Sequence, residues 1–153
     1  MARTPRIEEA ARLAAEAKGC VALRARRLSR LVTKLFEDAL RDEEITVAQF
    51  TLLGATILEG PMRPAHLARL LDLEKSTLSR NLQLLEAAGL LRIEGVPAGA
   101  GQRVEATERG RLALVRAFPA WQAAQRRAIE AMGEVVVGRL DSMIAAMGGG
   151  SLD

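Results

Sequence analysis

Residues 64–89 read PAHLARLLDLEKSTLSRNLQLLEAAG, and residues 90–106 continue LLRIEGVPAGAGQRVEA. Pro64 suits the first turn of a short helix ending near Leu71, because that position has no use for the amide proline lacks. After Asp72-Leu73 a second helix places Leu78, Leu82 and Leu85 on one face and stops at Gly89. Two β-type runs follow, Leu90–Ile93 and Arg103–Ala106. Between them Glu94–Gln102 is rich in Gly and Ala and holds Pro97, so it reads as a hairpin loop.

Short helix, tight turn, helix and hairpin together make a winged helix-turn-helix. The turn sets the two helices at a steep angle, so the second one protrudes. Upstream, Thr46-Val47-Ala48-Gln49 is a capping box that opens a helix through Phe50, Leu53, Ile57 and Leu58, ending at Gly60-Pro61. Residues 20–42 form an amphipathic helix, with Val21, Leu28, Leu31, Val32, Leu35, Phe36 and Leu40 on its apolar stripe. Residues 6–18 also have helical composition, and Gly19 interrupts the pattern. Downstream, Thr107 caps a long helix in which Pro119 predicts a kink near Val115. A last helix carries Val136, Leu140, Met143, Ile144 and Met147, and GGGSLD reads as a frayed tail.

The 153 residues are 49% apolar and 27% charged, with a net charge of +3, which excludes an intrinsically disordered chain. Ala and Leu supply 27 and 23 residues, so the expectation is mostly helix with one small hairpin. Three Phe, one Trp and no Tyr are little aromatic mass for a core, and dimerisation would complete it. Ten of the Lys and Arg lie within residues 1–42 against six acids, while the remainder of the chain is slightly acidic. The absence of an 18-residue apolar run predicts no membrane partner, and Glu8, Glu9 and Glu16 argue against a signal peptide. One cysteine fits the cytoplasm, and one cysteine with one histidine leaves a transition-metal site short of ligands. No cofactor or metal is expected.

The helix after the turn keeps a polar face: Lys75, Ser76, Ser79, Arg80 and Gln83. Hydroxyls, an amide and cations can donate to phosphates and base edges, and Asp72, Glu74 and Glu86 avoid the centre of that face. Taken alone, such residues also suit a plain solvated helix face. Enzymatic readings find little support. Gly95–Gly101 matches neither phosphate-binding glycine motif, and Ser76, Ser142 and Cys20 have only His66 as a base. His66 itself suits a surface or phosphate-contacting role. The Arg24–Arg30 cluster suits a solvated or intersubunit face, and Phe118 with Trp121 suits packing.

In LRARRLSRLVTKLFEDAL, ITVAQFTLL, GPMRPAHLARLLDLEKSTLSRNLQLLEAAGLLRIE and ATERGRLALVRAFPAWQAAQ, the chain resembles the MarR family of transcriptional regulators over residues 20–147. The resemblance implies a homodimer joined by N-terminal (1–45) and C-terminal (108–147) helices. A winged helix over 46–107 would bind double-stranded DNA, with 148–153 left as a flexible tail. The helix matching Lys75–Ala88 would enter the major groove and the hairpin an adjacent minor groove. Ser76, Thr77, Ser79 and Arg80 match the recognition segment. Arg63 falls where the family has a phosphate-touching Ser or Thr, and Arg103 is the nearest stand-in for a wing-tip arginine. The wing departs from the family pattern, with Ala98 and Ala100 replacing an Asp and an Arg.

The resemblance also implies a repressor released by a small aromatic or phenolic effector, whose contact residues the sequence does not identify. Two other readings stay open: a winged-helix protein-interaction module with weak DNA binding, motivated by the Arg-poor wing, and a redox regulator using Cys20. The latter lacks the tyrosines that support such a thiol in the family, and a lone Cys on such a helix also suits a small apolar packing role.

Overall fold

The helix starts are set by local chemistry. Thr46 accepts a hydrogen bond from the Gln49 amide at 3.3 Å while the Gln49 side chain accepts from the Thr46 amide at 3.0 Å. This reciprocal cap opens α3 (Val47–Glu59), which stops at Gly60 in a left-handed conformation, φ 75°. A computed structural model describes residues 4–95 and 101–149. The expected alanines of the wing tip, Ala98 and Ala100, lie outside the described residues, as does the tail beyond Gly149.

The order of elements is α1 (Thr4–Glu16), a 3₁₀ turn (Ala17–Gly19), α2 (Val21–Ala39), α3, α4 (Pro64–Leu70), α5 (Lys75–Ala87), β1 (Leu91–Gly95), β2 (Gln102–Ala106), α6 (Glu108–Met132) and α7 (Glu134–Ala146). A mostly helical chain with one antiparallel hairpin is thus observed, as the sequence predicts. Gly19 does interrupt the N-terminal helical stretch. The second helix ends at Ala39, earlier than the expected 42, where the chain leaves helical geometry for a run of turns. α6 continues through Pro119 as one element.

By internal contacts the chain divides into a unit ending at Leu35 and a unit beginning at Phe36. The first holds α1 and most of α2. Among its described residues none is buried, and Leu13, Val21, Leu28 and Leu31 are exposed. These helices carry apolar stripes without a core of their own.

The second unit has the core. Leu52, Leu53, Leu67, Leu85 and Val104 are almost fully buried, together with Thr56. The Thr56 hydroxyl donates within its own helix to the carbonyls of Leu52 and Leu53 at 3.0 and 2.9 Å, so its burial costs little. Truncating Leu85 to Ala in such a site costs about 2–5 kcal/mol. Trp121 stacks on Phe50 and Phe118, with centroids 5.4 and 5.6 Å apart, and tilts against Phe36 at 6.2 Å. The chain's scarce aromatic mass is gathered where the end of α2, α3 and α6 meet.

Both helices of the helix-turn-helix end in the same hydrogen-bond pattern. After α4 the Asp72 amide donates to Arg69 and the Leu73 amide to Ala68; after α5 Gly89 donates to Glu86 and Leu90 to Leu85. The residue at each end is left-handed, Gly89 at φ 69° and Asp72 at φ 49°. Aspartate is among the few side chains that tolerate this conformation. Thr107 then ties the hairpin to α6. Its hydroxyl donates to the Gly89 carbonyl at 2.7 Å and accepts from the Gly110 amide at 3.1 Å. Gly110 lies so close to Leu90 that a Cβ there would overlap its carbonyl oxygen.

Candidate nucleic-acid interface

Leu78, Leu82 and Leu85 anchor α5 to the core, and the 3.6-residue repeat then divides its remaining residues among three directions. Ser76 and Arg80 stand on the crest, farthest from the buried leucines, and Gln83 lies beside them; all three are exposed. Lys75, Ser79, Gln83 and Glu86 line the flank toward the hairpin. Thr77 and Asn81 line the opposite flank, with the Asn81 amide donating to the Thr77 carbonyl at 3.0 Å. The family resemblance places Thr77 in the recognition segment with Ser76, Ser79 and Arg80, whereas the structure sets it on the flank opposite Ser79.

The hairpin-side flank borders a hollow of about 1230 Å³ between α4, α5 and the wing. Arg63, Arg69, Lys75 and Arg103 face it, with Glu59 and Glu86 as the opposing carboxylates. Of the residues expected to contact DNA, the structure therefore brings together Arg63, Lys75, Ser79, Gln83 and Arg103 around one cationic surface. Arg69 and His66 belong to it as well. Their three-residue spacing on α4, away from buried Leu67, is the signal in the sequence that could have identified Arg69.

Neither helix of the motif has a side-chain N-cap: Arg63 and Glu74 occupy those positions in extended conformation and make no capping bond. The first amides of α5 are left without a side-chain acceptor at the end where a helix favours negative charge.

The wing's own charges are largely engaged with one another. β1 and β2 pair antiparallel, with Arg92 opposite Glu105 and Glu94 opposite Arg103. Arg92 meets Glu105 at 2.7 Å and Glu94 at 2.8 Å. The hydrogen bond that Arg92 donates to Glu105, helped by the charges of Glu94 and Glu105, raises the pKa of the Arg92 guanidinium above its ordinary value. Arg103 stands at the rim of the hollow. On the outer edge of β1 the Ile93 amide donates to the Glu86 carboxylate at 3.2 Å, so a side chain of α5 holds the hairpin. β2 is flanked on its far side by a bridge to Met62, with amide-to-carbonyl distances of 3.1 and 2.8 Å.

Cys20 is exposed at the junction of the 3₁₀ turn and α2 and has no cysteine partner in the sequence. Among the described residues no three His, Cys, Asp or Glu side chains form a metal-holding group, and no helix is long and apolar enough to cross a membrane.

Comparison with known proteins sharpens this geometry. A family model described as MarR family matches residues 44–100. The transcriptional regulator MosR of M. tuberculosis, solved in complex with DNA, aligns at a TM-score of 0.74 and 30% identity, covering 84% of this chain and 93% of that one. A mutant MarR from E. coli complexed with operator DNA aligns at 0.73 and 19% identity, covering 83% and 92%. BpsR of Bordetella bronchiseptica, whose DNA binding is regulated by 6-hydroxynicotinic acid, aligns at 0.73 and 19% identity, covering 84% and 92%. No curated protein matches the chain.

Proposed function

The chain belongs to the MarR family of transcriptional regulators, and from that premise we propose that it represses transcription as a homodimer bound to a near-palindromic operator. The observation that carries this reading is the setting of α5. Its crest of Ser76, Arg80 and Gln83 stands clear of the core, and its hairpin-side flank opens onto a surface bearing Arg63, Arg69, Lys75 and Arg103. The crest would read base edges in the major groove, and the cations would hold phosphates and release counterions. Arg103 would be the wing's contribution, since Arg92 is occupied by carboxylates.

The exposed apolar residues of α1 and α2, with Leu112, Val115 and Phe118 of α6 and Val136, Met143 and Ile144 of α7, support the dimer. Two copies joined through these faces would hold their α5 helices about one helical turn of DNA apart. A small molecule that favours one arrangement of the two DNA-binding lobes would release the operator, by no more than its difference in affinity for the two states.

Binding to the gene's own promoter region, measured across a salt series with competitor DNA, tests the reading. The expected result is tight, competitor-resistant binding by a species of twice the chain mass. Affinity should fall with a log–log salt slope of about −0.9 per phosphate neutralised. Weak binding that competitor abolishes would favour a protein-interaction module, a reading supported by the self-paired charges of the wing. A release of DNA by peroxide that Cys20→Ser removes would favour the redox reading.

A further inference from the structure

Residues 1–35 hold nine Lys and Arg against three acids, whereas residues 36–153 hold thirteen against sixteen. The chain's net positive charge therefore belongs to its N-terminal helices. No acid stands between Glu16 and Glu37, a stretch with six cations. α2 sorts that stretch by its 3.6-residue repeat. Val21, Leu28, Leu31, Val32 and Leu35 share one side, and Arg26, Arg27 and Arg30 stand within about 100° of one another on the opposite side. All three arginines are exposed.

Like charges three and four residues apart on a helix repel, so Arg30 beside both Arg26 and Arg27 weakens α2 unless an anion lies over them. Elsewhere the chain pairs such positions: Arg12 meets Glu16 at 2.9 Å and Arg41 meets Asp38 at 2.6 Å. The side chains of Arg26, Arg27 and Arg30 make no hydrogen bond or ion pair among the described residues.

We propose that this arginine face of α2 is a second DNA-binding surface, which holds the phosphates of duplex DNA without reading its sequence. Along the helix axis the three positions span about 6 Å, over which a duplex presents about three to four phosphate charges, so the charge densities match. Each guanidinium fork can donate two bonds to one phosphate, a geometry lysine lacks. A helix that reads bases mixes cations with hydroxyls and amides, as α5 does; over residues 21–34 this arc holds no Ser, Thr, Asn or Gln. A lipid surface would need the apolar stripe for itself, and on the dimer reading above the second copy covers that stripe. Only this exclusion of lipid rests on that reading.

Anisotropy titrations of the full-length protein across a salt series test the proposal, with duplexes of random sequence and of the gene's own promoter region. They compare Arg26→Ala/Arg27→Ala/Arg30→Ala with Lys75→Ala/Arg103→Ala. Alanine favours helix and the three sites are exposed, so α2 should persist, as circular dichroism and mass by light scattering check. The arginine variant should lose at least tenfold in affinity for both duplexes by the same factor. Its log–log salt slope should flatten by about 0.9 for each phosphate lost. Arg30→Ala alone, the gentler change, should flatten the slope by about one contact. Unchanged affinity, a loss confined to the promoter duplex, or a loss that accompanies a change in mass would overturn the proposal. The last of these would make the face intersubunit. Unchanged DNA affinity with loss of binding to phosphatidylserine vesicles would assign it to lipid, and overturn the proposal too. A loss in Lys75→Ala/Arg103→Ala alone overturns this surface and leaves the α5 reading intact, whereas a loss in the arginine variant alone does the reverse.

Discussion

One helix, α5, separates two hollows of different lining, one cationic and one mainly apolar. On the hairpin side Arg63, Arg69, Lys75 and Arg103 outnumber Glu59 and Glu86; the α7 side is lined mainly by apolar residues, Leu52, Leu71, Leu73 and Ile144 among them, with Asp72 and Asp141. α5 itself supplies one charge of each sign to the first hollow and none to the second, where it offers only Thr77 and Asn81. The contrast therefore comes from the neighbours: the two ends of α4 and β2 on one side, the turn and the second half of α7 on the other. A helix of ordinary composition acquires one cationic flank and one mainly apolar flank through what is packed beside it.

Reversing the cationic side should have the largest effect. Lys75→Glu/Arg103→Glu removes two of the four arginine and lysine charges of that hollow and adds two carboxylates, and operator affinity at fixed salt should fall about a thousandfold or more. The salt slope should flatten by roughly two contacts at the same time. A smaller loss would mean that the hollow does not face the phosphates. Next, Arg80→Ala on the crest should cost about 1–3 kcal/mol on the operator, with a much smaller loss on random DNA. An equal loss on both would make Arg80 a phosphate contact and leave base reading to Ser76, Ser79 and Gln83.

Glu86 offers a gain. Glu86→Gln keeps an oxygen to accept from the Ile93 amide and removes one of the two carboxylates from the cationic side. Affinity should rise about threefold, less at high salt, in gel-shift or anisotropy titrations. A fall would mean that the charge itself holds the wing in place. The smallest effect belongs to Thr77→Val. Its position on the α7 flank predicts a loss of about twofold or less, against a larger loss for Ser79→Val. A large loss at Thr77 would show that α5 tilts in its groove so that the α7 flank also reaches DNA.

The architecture was legible because its signals are local. Thr46 and Gln49 cap one another within four residues, Thr107 accepts from an amide three residues on, and Gly89 ends α5 where only a left-handed residue closes the hydrogen bonds. The leucine spacing of Leu78, Leu82 and Leu85 pointed to the buried side of α5, and those three are buried. The polar residues on the remaining sides read as one free face. Nothing within the helix tells which neighbours the Thr77 flank and the Ser79 flank will meet, because those neighbours belong to other elements. Likewise Arg92 gave no local sign of its double engagement, since its main partner, Glu105, arrives only when β2 pairs in register.

By itself, then, the sequence determined the elements, their order and the buried side of α5, since caps, turn residues and apolar periods act within a few positions along the chain. Only the tertiary structure decided which flank of α5 meets the cations of α4 and the wing and which meets the acids of α7 and the turn. Electrostatic character belongs to a space between elements, and that space exists only once the elements are packed.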